Sequence, residues 1–384
     1  MSGESLEHVL VVGAGLAGAR SCEQLRRQGY EGRITLLGAE THPPYDRPPL
    51  SKDLLTGARA DSALPVDFAA LGVELRLGVT ATGLRPADRV VLTSDGDIPY
   101  DGLVIATGSR PRELPGTGSQ WTLRTLEDAH RLRKRLEPGV RVAIAGAGWI
   151  GAEVATAALA SGCEVVCLSA GTAPFAGLFG ADVAARMLPW WDGVDLRLGC
   201  LAESVTRNGV RLSDGSVLTA DVVVTGIGDD PETGWLENSG LDLDRGVLVD
   251  EWLRAAPGIV AVGDVAAWWS RRWARRLHVR HWDHAASAPA VAVAALLKPG
   301  LCEVEPYDPV PYFWSDQFGH KLQYAGLHDA GDPATAEEGE SGWWKIGWAD
   351  SEGRPTAALV VDCPRELLKS RLAIGHGRRS LSRL

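Results

Sequence analysis

Residues 8–18 read HVLVVGAGLAG, a β-branched run that ends in three glycines spaced as Gly-x-Gly-x-x-Gly. The next residues, 16–27, follow a helical period, and a second apolar strand is predicted over 34–37. Strand, glycine turn, helix and strand make one βαβ unit, which is the building block of a parallel, doubly wound sheet. This stretch therefore predicts an α/β fold.

The glycines of this turn predict a dinucleotide site. Gly13 permits the tight turn, Gly15 lets the backbone approach a pyrophosphate, and Gly18 lets the helix pack close to the strand. Glu40 lies 22 residues beyond Gly18, where a carboxylate can accept hydrogen bonds from a ribose 2′-hydroxyl. A plain glycine-rich turn is the alternative. The strand before the turn, the helix after it and the acid at this distance favour the nucleotide site.

The same pattern returns at 141–153, RVAIAGAGWIGAE, followed by a helix and by the strand EVVCLS at 164–169. The second turn lies 133 residues after the first, which is too long for a solenoid repeat and suits two separate nucleotide-binding domains. Where the second strand ends, Ser169 stands in place of the acid that would favour NADH. The sequence therefore predicts a nicotinamide dinucleotide without deciding between NADH and NADPH.

The composition is that of an ordinary globular protein of two or three domains. The chain has 384 residues, of which 45% are apolar and 23% charged, and its formal net charge is −10. This acidic balance argues against nucleic-acid binding, because phosphates require a basic surface. The six cysteines are far apart, and the closest pair, Cys163 and Cys167, predicts a buried strand and no metal site.

No targeting or membrane segment is predicted from the sequence. Its first residues lack a basic region followed by a long apolar core, so no signal peptide is predicted. The apolar stretch 285–297 contains Ser287 and Pro289 and is too short to span a bilayer. We therefore expect a cytoplasmic protein that does not bind membranes.

The remaining organisation follows from shorter signals. Strands that end in small residues are expected at 103–106, 222–225 and 259–262. After about residue 305, aromatic and turn-rich stretches predict a third, mainly antiparallel domain. The predicted architecture is two Rossmann-like dinucleotide-binding domains plus an α+β C-terminal domain.

Six further motifs appear in order along the chain: PPYDRPPLSK at 43–52, YDGLVIATGSRPR at 100–112, LRTLEDA at 123–129, AVGDVA at 261–266, HWDHA at 281–285 and PYFWSDQ at 311–317. With them the chain resembles the FAD-dependent, NAD(P)H-dependent ferredoxin reductases that serve bacterial oxygenases, the putidaredoxin, rubredoxin and dioxygenase-reductase group. The resemblance covers nearly the whole chain. PYDRPPLSK and FWSDQ are specific to this group, whereas the glycine motifs are shared by all flavoproteins with two dinucleotide sites.

The resemblance implies an enzyme that takes hydride from NAD(P)H onto FAD and passes single electrons to a ferredoxin. The ferredoxin, a small acidic iron–sulfur protein, would feed a haem-thiolate or Rieske-type oxygenase. Residues 1–112 and 236–305 would bind FAD, 113–235 would bind NAD(P)H, and 306–384 would form an interface domain. A monomer or weak dimer is expected.

The resemblance also implies which residues bind the cofactors. The residues that match the family's FAD site are Gly13, Gly15, Ala17, Gly18, Glu40, Arg47, Lys52, Ala81, Arg124, Asp264 and Trp282. The residues that match its coenzyme site are Gly146, Gly148, Ile150, Gly151, Glu153, Ser169 and Gly228.

Lys52 and Glu153 are the candidate catalytic residues. In the family this lysine and glutamate pair near flavin N5, and a fixed ammonium there stabilises the negative charge that hydride transfer leaves behind. The glutamate would orient the lysine and keep it charged. The alternative is a surface lysine and a glutamate that caps the second fingerprint helix.

Some positions depart from the family pattern or stay ambiguous. Arg280 stands where the family commonly has glutamate, and Ala288, Pro289 and Asp362 are further departures that affect the expected flavin geometry. A basic cluster of Arg271, Arg272, Arg275, Arg276 and Arg280, with His278 and His281, could steer an acidic ferredoxin. A solvated hairpin that balances local acids is the other interpretation.

Two rival functions remain. A disulfide reductase or NADH peroxidase shares both dinucleotide domains but needs a redox cysteine, and residues 40–60 contain none. A binding or signalling flavoprotein like the apoptosis-inducing factors is the other. The sequence names neither the ferredoxin nor the oxygenase.

Overall fold

The computed structural model describes residues 6–298 and 305–377. Cys302 lies outside the described residues. Three principal sheets organise the described chain: two parallel, helix-flanked sheets and one antiparallel sheet near the C-terminus. The predicted architecture of two Rossmann-like domains and an α+β domain is confirmed.

The first fingerprint begins a six-stranded sheet. Its strand order is Arg254–Ala256, Ile259–Ala261, Gly102–Ile105, His8–Val12, Arg33–Gly38 and Val73–Leu77. All neighbours are parallel except the first two, which are antiparallel. Apart from their first residues, the central strands His8–Val12 and Arg33–Gly38 are buried and mostly apolar, as expected for a sheet covered on both faces. The predicted helix over 16–27 is present as Leu16–Arg27, and Trp282–Leu297 packs against it.

The second fingerprint begins a smaller, four-stranded parallel sheet. Its order is Val194–Leu198, Glu164–Ser169, Arg141–Ala145 and Val222–Thr225. The helix Trp149–Ala160 follows the second glycine turn, and Leu126–Arg133 begins with a capping box in which Thr125 and Asp128 exchange hydrogen bonds. Both cysteines are buried, Cys163 directly before the strand Glu164–Ser169 and Cys167 within it, so the predicted buried strand is confirmed.

The third principal sheet is fully antiparallel. Its order is Tyr312–Gln317, His320–Gly326, Pro355–Val361, Trp344–Ala349 and Ala334–Glu338, and the helix Pro364–Gly377 packs on it. Alternate residues of His320–Gly326, Trp344–Ala349 and Pro355–Val361 place apolar side chains on one face of this sheet. These side chains form one core with Phe179, Val183 and Met187 of the second unit.

Smaller elements complete the described chain. The minor sheets consist of Ala81–Arg85 with Val90–Thr93 and Ile98–Pro99, Ala202–Thr206 with Gly209–Leu212 and Val217–Thr219, Val247–Val249 with Ala266–Ser270 and Arg275–Leu277, and Ser109–Pro111 with Asp229–Pro231. The short helices are Pro48–Ser51, Asp53–Thr56, Ala176–Phe179, Ala181–Met187, Leu188–Trp191, Gly234–Leu236 and Gly263–Val265.

The connection between the first two units is a two-stranded ribbon. Ser109–Pro111 leaves the first sheet and Asp229–Pro231 returns to it, so the second sheet is inserted within the first unit. The exact domain bounds stay predictions. No helix among residues 6–298 and 305–377 is long and apolar enough to cross a bilayer.

Candidate functional site

The first glycine turn has the geometry that its sequence predicts. Gly13 has φ of +114°, and a Cβ there would lie 2.1 Å from the carbonyl oxygen of Ala106. A Cβ on Gly18 would lie 1.9 Å from the carbonyl oxygen of Gly13. Around Gly15, in contrast, no atom beyond its chain neighbours and its own helix backbone lies within 4 Å of the position that a Cβ would take. Two glycines are thus required by packing, and the third leaves open space at the helix N-terminus where a pyrophosphate fits.

Glu40 and Arg47 meet beside this turn. Arg47 Nη2 lies 2.7 Å from Glu40 Oε1, and both side chains are about 30% exposed or less. The Tyr45 hydroxyl donates to the other Glu40 oxygen and accepts from Arg47 Nη1 at 3.0 Å. Burial raises the pKa of Tyr45, so this hydroxyl stays protonated and able to donate. Two candidate FAD residues from separate motifs are therefore fixed against each other.

Asp264 and Arg124 form a second ion pair at this edge of the sheet. Arg124 Nη2 lies 2.8 Å from Asp264 Oδ2, and the Ser109 hydroxyl donates to the same carboxylate at 3.2 Å. Burial acts to raise the pKa of Asp264, but the charge of Arg124 and its hydrogen bond outweigh it and lower that pKa. Arg124 Nε is buried without a partner among the described residues. It is one donor still available to a ligand.

The Lys52–Glu153 pair lies where three parts of the chain meet. Lys52 Nζ donates to Glu153 Oε1 at 2.8 Å, and the Ser315 hydroxyl donates to the same oxygen at 2.6 Å. The Ser51 hydroxyl donates to Oε2. Glu153 is 5% exposed and Lys52 18%. The Glu153 carboxylate therefore accepts hydrogen bonds from the segment after the first fingerprint and from the C-terminal sheet. Glu153 itself lies on the helix of the second fingerprint.

This geometry decides between the two interpretations of the pair. Glu153 is not a simple cap of the second fingerprint helix, because the N-cap residue is Gly148 and the carboxylate bonds to side chains outside its own helix. Lys52 is mostly buried and directed to Glu153, so it is not a free surface lysine. The catalytic role of the pair stays a proposal.

The second glycine turn repeats the first. Gly146 has φ of +109°, and a Cβ there would meet the Gly226 carbonyl oxygen at 2.3 Å. A Cβ on Gly151 would lie 1.9 Å from the Gly146 carbonyl oxygen, while Gly148 faces open space. Beside the turn, Ile150 is 37% exposed. An open cradle flanked by an exposed apolar side chain fits a nucleotide coenzyme.

The other predicted coenzyme residues surround this cradle. Gly228 has φ of +101° and its carbonyl accepts from Arg112 N at 2.9 Å. Ser169 ends its strand with 9% exposure, and its carbonyl accepts from Cys200 N at 2.8 Å. Trp149 turns away from the cradle and packs against Phe175 with ring centroids 4.3 Å apart.

Three remaining FAD candidates lie in different settings. Ala17 is buried, and a Cβ on Gly263 would lie 3.0 Å from its Cβ. Ala81 begins the edge strand Ala81–Arg85. Trp282 begins its helix, donates from Nε1 to Asp46 at 2.6 Å, and packs edge-on against Trp314 at 5.9 Å.

Two histidines, the buried His284 and the partly buried His281, lie close to Asp264. Burial lowers the pKa of both His281 and His284 to about 4, since an imidazolium would lose its hydration there. His284 Nδ1 lies 2.9 Å from the Tyr307 hydroxyl, and its ring stacks on Trp268 at 4.4 Å. His281 Nδ1 and His284 Nε2 have no partner among the described residues. Both rings are neutral polar groups at neutral pH.

The basic cluster is largely balanced within the chain. Arg275 pairs with Asp329 at 2.8 Å and Arg280 with Asp229 at 2.6 Å, while Arg271 pairs with Glu251. Arg276 donates to main-chain oxygens. His281 lies near Asp264 and is uncharged at neutral pH, since burial lowers its pKa to about 4, so it adds no charge to the basic cluster. The pairing favours a hairpin that balances local acids over a steering surface, and it gives Arg280 a partner at the position where the family commonly has glutamate.

The residues present fit FAD at the first cradle and NAD(P)H at the second. The observations are the open space at Gly15 and Gly148, and the unpartnered buried atoms Arg124 Nε and His281 Nδ1. No group of three or more His, Cys, Asp or Glu side chains in the described ranges is placed to hold a metal ion.

Sequence analysis missed the residues that hold the charged pairs. Ser51 and Ser315 bind Glu153, Tyr45 links Glu40 to Arg47, and Ser109 binds Asp264. All four lie inside the motifs PPYDRPPLSK, FWSDQ and YDGLVIATGSRPR. Their position inside motifs that match the family was the available signal.

Comparison with known proteins gives consistent matches along the chain. The profile of the pyridine nucleotide-disulphide oxidoreductases matches residues 7–289, and that of the reductase C-terminal domain matches 312–383. The chain is 36% identical over 378 residues to the benzene 1,2-dioxygenase system ferredoxin–NAD(+) reductase subunit of Pseudomonas putida, covering 94% of this chain and 90% of the relative.

Two solved structures are also similar over nearly their whole length. The crystal structure of Fdr9 has a TM-score of 0.94 and 53% identity, with 97% of this chain and 95% of that chain covered. The crystal structure of the covalent putidaredoxin reductase–putidaredoxin complex matches with a TM-score of 0.90 and 30% identity, covering 97% and 94%.

Proposed function

Because the chain belongs to the pyridine nucleotide-disulphide oxidoreductase family and ends in a reductase C-terminal domain, we propose that it is a ferredoxin reductase of a bacterial oxygenase system. It takes hydride from NAD(P)H onto FAD and passes single electrons to an iron–sulfur ferredoxin. The relative from Pseudomonas putida and the putidaredoxin reductase complex, both named for this kind of reaction, support the proposal. The ferredoxin that accepts the electrons determines whether the oxygenase is haem-thiolate or Rieske-type.

One observation carries the proposal most directly. The Lys52–Glu153 pair, 2.8 Å long and mostly buried, joins the segment after the first cradle to the helix of the second. FAD supplies the chemistry of accepting a hydride and releasing electrons one at a time. An ammonium fixed between the two cradles stabilises negative charge that develops there, and Glu153 keeps the ammonium in place.

The other charged residues act in binding. Asp264 and Glu40 supply carboxylates for the hydroxyl groups of FAD, while Arg47 and Arg124 hold these carboxylates and supply positive charge. The glycines Gly13, Gly15 and Gly18 admit the FAD pyrophosphate, and Gly146, Gly148 and Gly151 admit that of the coenzyme. Trp282, at the start of its helix, would lie beside the flavin ring.

A panel of small acidic two-iron ferredoxins tests the function. We expect a yellow protein whose NADH or NADPH oxidation is accelerated by at least one of them, followed as loss of the oxidised iron–sulfur absorbance. A colourless protein that takes up no added FAD would disprove the assignment. Slow NADH oxidation that no ferredoxin accelerates would instead favour a signalling flavoprotein.

Coenzyme choice is expected to depend on Ser169. Without an acid at this position, we expect the kcat/KM values for NADH and NADPH to differ by less than about tenfold. Ser169→Glu should shift the ratio towards NADH by about tenfold or more, because a carboxylate repels the 2′-phosphate. Steady-state kinetics with both coenzymes measure the ratio.

Ser169→Gln is the matched control, because the glutamine side chain is as long as that of glutamate but carries no charge. It should leave the ratio of the two kcat/KM values near that of the wild type. Thr172, three residues after Ser169, is a second neutral hydrogen-bonding side chain in this segment, and an NADPH-specific wild type would mean that it and backbone amides already bind the 2′-phosphate. An unchanged ratio in Ser169→Glu would show that Ser169 does not face the adenosine ribose.

A further inference from the structure

A cavity of about 430 Å³ lies beside the Lys52–Glu153 pair, between the segment after the first cradle, the second fingerprint helix and the C-terminal sheet. It is large enough for several water molecules. Its lining residues include Ser51, Lys52, Glu153, Thr156, Gln317 and the turn at Gly319.

The residues that line the cavity are buried at one end and exposed at the other. At the inner end, Ser51, Glu153 and Gln317 are buried, with exposures of 5%, 5% and 1%. At the outer end, Asp53 and Thr56 are exposed. The cavity therefore connects the buried carboxylate to the protein surface.

Gln317 indicates that the inner end holds water. Neither its amide nitrogen nor its amide oxygen has a hydrogen-bond partner among the described residues, although the side chain is 1% exposed. Gln317 lies two residues after Ser315 in the strand Tyr312–Gln317, so both side chains face the same side of the sheet. A buried amide without a protein partner is normally satisfied by ordered water.

The charges around the cavity keep it polar along its whole length. Besides Lys52 and Glu153, the segment after the first cradle contributes Asp53. The hairpin of strands Tyr312–Gln317 and His320–Gly326 contributes the Asp316–Lys321 ion pair, with its charged atoms 3.1 Å apart, and His320, which bonds to Asp362 at 2.7 Å. Polar groups of this density favour a continuous file of water over an empty void.

The proposed function requires a proton to leave the flavin site. One NADH and two oxidised ferredoxins give NAD⁺, two reduced ferredoxins and one proton, because a hydride carries two electrons and each ferredoxin accepts only one. The proton that remains must reach solvent. A cavity that begins at the charged pair beside the cofactor sites and ends at the surface suits this task.

We propose that this cavity is the proton route between the flavin site and solvent. Lys52 passes a proton from Nζ to Glu153 and is reprotonated from the flavin side, so its charge is restored. Glu153, held in place by the Ser315 and Ser51 hydroxyls that donate to it, passes the proton to the water at Gln317 and on to the outer end at Asp53 and Thr56. The inference rests on the proposed function.

Two variants that interrupt the route test it. Gln317→Leu removes the polar group at the inner end with little change in volume, and Thr56→Trp fills the exposed outer end. The enzyme, reduced with one equivalent of NADH without oxygen, is mixed with ferricyanide, which accepts electrons only. A pH-indicator dye in weak buffer records the proton while the flavin absorbance records the electrons.

We expect both variants to be reduced by NADH at the wild-type rate and to keep the FAD midpoint potential, because neither changes the flavin site itself. Proton release should slow by about tenfold or more, with a larger solvent isotope effect, and added formate should restore it. Gln323→Leu is the matched control, since Gln323 is buried in the neighbouring strand outside the cavity lining, and it should behave as wild type.

Wild-type proton release in both variants would overturn the route while leaving the reductase function intact. Failure of the proposed function has a different result, since the wild type would then not be reduced by NADH or would pass no electrons to any ferredoxin.

Discussion

Asp264→Ala is expected to purify with little or no FAD. The carboxylate is 15% exposed, is held by Arg124 at 2.8 Å and by Ser109, and lies at the edge of the first cradle. Loss of one charge-assisted acceptor costs about 1.5–3 kcal/mol, so the Kd for FAD should rise roughly ten- to hundredfold. The ratio of flavin to protein absorbance after gel filtration and a fluorescence titration with FAD measure the effect.

The same substitution should also lower thermal stability, because it leaves the Arg124 guanidinium without its partner in a mostly buried position. Asp329→Ala is the control. It breaks an ion pair with Arg275 in which both side chains are more than 40% exposed, so it should change neither FAD content nor Tm appreciably. A variant Asp264→Ala that binds FAD like the wild type would remove Asp264 from the site.

Lys52→Met is expected to keep FAD but to be reduced by NADH about 10²–10³ times more slowly. The glycine cradle and the Asp264 and Glu40 carboxylates remain, so binding survives. The ammonium that stabilises developing negative charge is lost, and removal of one such group commonly costs this factor. Stopped-flow loss of the oxidised flavin absorbance gives the rate.

Lys369→Met is the matched control, since Lys369 is 58% exposed and pairs with Glu366 on the C-terminal helix. It should be reduced at the wild-type rate. If Lys52→Met is also reduced at the wild-type rate, Lys52 has a structural role only, and the buried pair serves to join the parts of the chain.

The repeated fingerprint made the two parallel sheets predictable. Helix 16–27 and strand 222–225 lie where the sequence places them, strand 103–106 is shifted by one residue to Gly102–Ile105, and strand 259–262 ends one residue earlier, at Ala261. These elements are set by local chemistry, namely β-branched runs, glycines with positive φ and an apolar helix face. These elements are present in the structure because the tertiary contacts favour the same secondary structure as the local sequence does.

The hydrogen bonds around Glu153 depend on distant residues and could not be read from spacing. Ser51 is 102 positions before Glu153 and Ser315 is 162 positions after it, and a lone serine carries no periodic signal. The ion pairs of the basic cluster could not be predicted from the sequence either. Asp329 and Asp229, which neutralise Arg275 and Arg280, lie far from the cluster in sequence. The family resemblance supplied Lys52 with Glu153, but not the hydroxyls that hold them.

The insertion of the second sheet within the first has a consequence for synthesis on the ribosome. Strand Gly102–Ile105 pairs with Ile259–Ala261, which emerges about 150 residues later. The inserted four-stranded sheet, Arg141–Ala145 to Val222–Thr225, is complete before that partner appears. The nascent first sheet therefore has an unpaired edge at Gly102–Ile105 while the second unit folds, and this edge is a site for aggregation or chaperone binding until the closing strand arrives.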